Sequence, residues 1–124
     1  MSPIRFTVMV AAMSGLIAGV AEAHPRLLGT NPAANATVPA PRSIQLRFSE
    51  RLVGQFSDAD VVKLGPGGRP ALKIATMRAK LGADGRSFTI VPRSPLLPGT
   101  YQLAWHAVST DTHRVQGNYL FRVR

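Results

Sequence analysis

Beyond residue 24, apolar and polar positions alternate with a period of two, and proline and glycine interrupt the alternation. This is the pattern of short, half-buried strands, and no segment carries a helical stripe. Residues 43–49 are the clearest case, with Ile44, Leu46 and Phe48 on one face and Gln45 and Arg47 on the other. The run Val61-Val62-Lys63-Leu64 ends in Gly65-Pro66-Gly67-Gly68, which predicts a turn and a returning strand over 72–77. Ala83-Asp84-Gly85-Arg86 predicts a hairpin turn into a strand over 87–91, and Pro92, Pro95 and Pro98 then hold an extended crossing. Over 100–108, Tyr101, Leu103, Trp105 and Ala107 face one way and Gln102, Ala104 and His106 the other, making Trp105 the expected centre of the core. Over 117–124, Tyr119, Phe121 and Val123 point inward. The expectation is an all-β Greek-key β-sandwich or barrel of immunoglobulin-like (cupredoxin-like) type, with about seven strands.

The first residues do not belong to that pattern. Arg5 stands in a short charged start, residues 6–20 are apolar, and Ala21 and Ala23 complete a small-x-small motif, so residues 1–23 read as a secretory signal peptide cleaved after Ala23. The apolar stretch, roughly fifteen residues, is shorter than the ~20 of a membrane-spanning helix. One domain, residues 24–124, is expected to remain.

Composition narrows the chemistry. The chain carries 15 Lys and Arg against 6 Asp and Glu, a formal net charge of +9. The leader holds one of each sign, Arg5 and Glu22, so its removal leaves the net charge unchanged. Such a balance suggests nucleic acid or an anionic surface. Here, however, Arg42, Arg47, Arg51, Arg122 and Arg124 stand singly between apolar residues, as outward strand positions do. A nucleic-acid partner is therefore not expected, while an acidic partner or lipid headgroups stay open. The absence of cysteine excludes thiolate sites, so any metal ligand must be nitrogen, oxygen or methionine sulfur. The glycine cluster lacks the Lys-Ser/Thr ending of a phosphate cradle.

Cleavage after Ala23 would give His24 a free α-amine, and amine plus ring Nδ1 form a two-donor chelate for a metal. Pro25 has no amide proton, which removes the competing mode in which copper binds the next peptide nitrogen. In Ser109-Thr110-Asp111-Thr112-His113, a carboxylate and an imidazole stand two residues apart and would share a face in extended backbone. Alone, Asp-x-His is an ordinary turn sequence. Joined to His24, it completes three nitrogens and one oxygen, a set that suits tetragonal Cu(II). His106, opposite Trp105 on its strand, is expected to face solvent.

His24-Pro25, Phe48-Ser49-Glu50, Pro98-Gly99-Thr100-Tyr101, Trp105 and the 109–113 segment together resemble the CopC family of periplasmic copper-binding proteins, over nearly all of residues 24–124. The resemblance implies one Cu(II) per chain, held by His24, Asp111 and His113. It also places an acidic residue, Glu50, behind the ligands, where it would hydrogen-bond the amine or orient a ligand; pairing with Arg51 is the alternative. Residues 64–70 lack the methionines and histidine of the family branch that binds Cu(I), and Met77 is the only methionine outside the leader, expected as core filler. The implied function is periplasmic sequestration or carriage of Cu(II) for copper resistance and homeostasis by a monomer. The resemblance suggests a CopD-like inner-membrane copper permease as its partner. Two other classes are weighed against it. A histidine-brace copper oxygenase would use the same donors, but the anionic Asp111 would occupy the plane that oxygen needs. An immunoglobulin-like interaction module without metal would leave the three donors unexplained. No enzymatic activity is expected.

Overall fold

The computed structural model describes Pro3 and residues 24–124; the expected leader otherwise lies, with its cleavage point, outside the described residues. Among the described residues nine strands form: β1 (Leu27–Asn31), β2 (Thr37–Val38), β3 (Ile44–Phe48), β4 (Asp58–Leu64), β5 (Pro70–Lys73), β6 (Lys80–Leu81), β7 (Ser87–Ile90), β8 (Gly99–Val108) and β9 (Arg114–Val123). They build two sheets, ordered β1-β3-β7-β6 and β2-β9-β8-β4-β5. Every pairing is antiparallel except β2 with β9. The all-β sandwich is as expected, with two more strands than the pattern suggested. The additional pairings come from short segments such as β2 and β6, two residues each, whose sequence is too brief to alternate.

The glycine cluster does turn the chain, with Gly67 and Gly68 at φ of 72° and 73°, the left-handed region that glycine enters freely. The returning strand is earlier and shorter than the expected 72–77. β5 ends at Lys73, after which Ile74 N still bonds Val61 O in one sheet and Met77 N bonds Val91 O beside the other. Residues 74–77 thus cross between sheets. Met77 is 52% exposed, so it is not core filler.

Alternation in β3 is realised fully: Ile44, Leu46 and Phe48 are buried and Gln45 and Arg47 exposed. They pack with Phe88 and Ile90 of β7, Val61 of β4, Tyr101, Leu103 and Ala107 of β8, and Tyr119, Phe121 and Val123 of β9. Phe48 stacks on Phe88 at 5.5 Å and Tyr101 on Phe121 at 5.5 Å, and these rings occupy the centre. Trp105 does not. It is half-buried, with its ring edge-on to Phe48 at 5.2 Å. The reason lies across the ladder, where its partner is Gly117. A Cβ on Gly117 would stand 2.7 Å from Cζ2 of Trp105, so the indole lies over bare backbone at the margin of the core.

Gly117→Ala is expected to destabilise the fold by ~1–3 kcal/mol, since the indole must leave its seat. Urea unfolding of the variant against the parent measures it.

Candidate metal centre

One end of the sandwich gathers the start of the domain, the β3–β4 connection and the β8–β9 loop. Arg26 N donates to Ser49 Oγ at 2.8 Å, and Ser49 N donates to Arg26 O at 2.9 Å. This pair lays the chain start against the end of β3, leaving Pro25 buried and His24 exposed. The residues after Ser49 hold the late loop in turn. Thr110 N donates to Arg51 O at 3.0 Å, Leu52 bridges Ser109, and Val53 N donates to Val108 O at 2.8 Å. The buried Ser57 hydroxyl accepts from Val108 N and donates to Val53 O. Residues 49–57 are therefore a strap that fixes His24 and the 109–113 loop to the same edge of the fold.

The loop is a tight turn and not the extended run that the Asp-x-His spacing assumed. Ser109 N bonds His113 O and Thr112 N bonds Ser109 O, each at 2.9 Å. Thr112 sits at φ 75°, unfavourable for a β-branched residue by roughly 1–2 kcal/mol. The turn still brings the two side chains together. Asp111 Oδ2 lies 3.0 Å from His113 Nδ1, and Asp111 Oδ1 accepts from the Ser109 hydroxyl. The Ser109 bond, followed by that to His113, pulls the Asp111 carboxyl down to about 2, so it is ionised throughout the neutral and mildly acidic range.

Ser109 is the residue that sequence reasoning passed over. It continues the inward series Tyr101, Leu103, Trp105, Ala107, and it is 1% exposed. A polar side chain at the next inward register position was the available signal, because a buried hydroxyl needs a partner.

The His24 ring stands 4.6 Å from that of His113, at 61° between planes. His24, Asp111 and His113 are thus neighbours at one edge, with Asp111 and His113 side chains each 42% exposed. Glu50 is half-buried within the strap. His106 is half-buried on the outer face of the five-stranded sheet, between its cross-strand partners Asp58 and Gln116.

Two imidazoles and a carboxylate are suitable donors for a borderline divalent ion. Among the described residues no three His, Cys, Asp or Glu side chains are already drawn together tightly enough to hold one. Asp111 Oδ2 is engaged by His113 Nδ1, and both groups reach a single ion only when that bond opens.

Residues 27–124 match the model of the CopC domain. The chain is 45% identical over 115 residues to copper resistance protein C of Escherichia coli, covering 89% of this chain and 91% of that one. It is 40% identical over 122 residues to copper resistance protein C of Pseudomonas syringae pv. tomato, covering 95% and 93%. Among solved structures, PcoC, a methionine-rich copper resistance protein from Escherichia coli, superposes with a TM-score of 0.75 at 44% identity, over 82% of this chain and 100% of that one.

A lowered carboxyl pKa stabilises the fold above its unfolded value, near 3.8, and that contribution is lost as pH falls through about 2. Ser109→Ala is expected to move the Asp111 titration upward from about 2 toward 3.8, read by NMR of the side-chain carboxyl. It should also raise the pH at which acid unfolding begins.

Proposed function

The chain belongs to the CopC family, and on that premise we propose that it is a periplasmic copper-binding protein of copper resistance, holding one Cu(II) per chain. The observation that carries the reading is the 4.6 Å approach of the His24 and His113 rings, with Asp111 bonded to the latter. The proposed donors are the α-amine and Nδ1 of His24, an imidazole nitrogen of His113, and the Asp111 carboxylate. Export with cleavage after Ala23 supplies the amine. Three nitrogens and an anionic oxygen favour Cu(II) over Cu(I).

Each residue has a separate task. Pro25, buried and without an amide proton, anchors the chelating end and keeps the next backbone nitrogen out of the coordination plane. The Ser109 hydroxyl fixes the Asp111 carboxylate, and before the ion binds that carboxylate holds the His113 ring beside it, so that both turn to the ion when their bond opens. Glu50, in the strap between both segments, is the acceptor proposed for the amine once the ion is bound. With Met77 the only methionine among residues 24–124, a lone thioether offers no basis for a Cu(I) site. The exposed donors suit a carrier whose cargo a membrane partner, such as a CopD-like permease, collects directly. Such a role binds and releases copper and needs no catalysis.

Protons compete for amines and imidazoles, whose ordinary titration lies near about 8 and about 6.5. Cu(II) affinity of the processed protein is expected to fall by about tenfold or more per pH unit between roughly pH 7 and 5; a flat profile contradicts these donors. Electron paramagnetic resonance with one equivalent of Cu(II) should show nitrogen couplings of a tetragonal site. His113→Ala should lower the affinity by about 100-fold or more, and a form retaining Ala23 should lose the amine donor and bind more weakly.

A further inference from the structure

The sandwich is electrically lopsided. Of the acidic residues other than Glu22, Glu50, Asp84 and Asp111 lie in loops at the metal-centre end, Asp58 opens β4 opposite His106, and Asp60 pairs with Lys73 at 3.3 Å. No Asp or Glu lies nearer the other end. That end carries Arg42 before β3, Lys63 near the close of β4, Arg69 in the β4–β5 turn, Arg93 after β7, and Arg122 and Arg124 at the close of β9. All but the half-buried Lys63 are exposed, and none of the six joins an ion pair among the described residues.

A ridge of residues 93–98 rises from the same end. Leu96 is 5% exposed and anchors it in the core, while Leu97 at its crest is 67% exposed. The ridge is held from beneath, because the buried Tyr101 hydroxyl donates to Leu97 O. One flank is a recess of about 420 Å³ between Arg42 and Arg93. The other flank is an apolar cleft of about 270 Å³ lined by Leu72, Ile74 and Leu96, with Lys63 at its wall. Leu72, 59% exposed, adds a second apolar side chain beside the crest.

An apolar crest rimmed by cations, of which only Lys73 has a carboxylate partner, is the arrangement that settles on an anionic bilayer. The cations meet lipid phosphates at the surface, and the leucines enter the acyl boundary. An acidic protein face would satisfy the charges but gives no reason for two exposed leucines on a preformed ridge. We propose that this end docks the protein on anionic phospholipid, with Arg42 and Arg93 gripping headgroup phosphate and Leu97 inserting. The metal-centre end then faces away from the bilayer, so transfer to a membrane partner takes place from the undocked protein.

Co-sedimentation with phosphatidylcholine vesicles, with and without about one-third phosphatidylglycerol, tests this at low and high salt. Binding is expected only with phosphatidylglycerol and only at low salt. Arg42→Glu with Arg93→Glu should reduce partitioning by about 600-fold, taking roughly fivefold for each of the two attractions lost and the two repulsions gained. Leu97→Ser should reduce it by about threefold or more while leaving the salt dependence in place. The charge-matched control, Arg47→Glu with Arg86→Glu at the other end of the strands, should retain most binding. The proposal is overturned by equal binding to both vesicles, by no binding to either, or by a control that loses as much as the Arg42 and Arg93 variant. Circular dichroism establishes that each variant is folded.

Discussion

The register of β8 against β9 is the constraint on which the rest of the structure depends. Ten residue pairs run unbroken from Gly99 opposite Val123 to Val108 opposite Arg114, and each fixes the face of its two side chains. A slip of β8 by one residue would turn Tyr101, Leu103 and Ala107 outward together. It would also separate Trp105 from Gly117, the one partner without a side chain to displace the indole. The candidate metal centre inherits this register because its late loop is simply the connection between these two strands. Ser109 is buried because Ala107, two residues earlier, is buried.

Elements with enough length to alternate were legible in the sequence. β3, β7, β8 and β9 follow directly from period-two apolar positions, as do the turns built on Gly67, Gly68 and Gly85. The pairings that were not legible depend on distant residues. β2 exists because Arg122 and Val123 of β9 offer it two partners. Alternation and size put Trp105 at the core centre, whereas its seat is decided by a glycine twelve positions later. Met77 was placed inside because it is apolar, yet it lies where the chain passes from one sheet to the other.

The candidate site shows a similar division. His24, Asp111 and His113 could be named from donor chemistry, and they do stand together. Extended backbone would put Asp111 and His113 on one face, and the chain instead uses a turn with Thr112 in the left-handed region. Spacing of two is compatible with either geometry, so the sequence could suggest the pair without revealing how it forms. The strap of residues 49–57 was invisible for another reason. Much of its grip on both segments is made by backbone groups, Ser49 N, Arg51 O and Val53 N, which nearly every residue type possesses. The candidate donors thus rest on a support whose own bonds involve backbone and the hydroxyls of Ser49 and Ser57.

The nearness of His24 and His113 has a consequence for a domain without a single disulfide. These residues lie close to opposite ends of the domain sequence, and bringing such distant points together is among the largest loop closures the chain makes. An ion held by both, as proposed, would act as a removable crosslink over nearly the entire fold. Because the unfolded chain has no such juxtaposition, cargo and architecture would be thermodynamically linked: each loading event would tighten the sandwich, and each delivery would loosen it again.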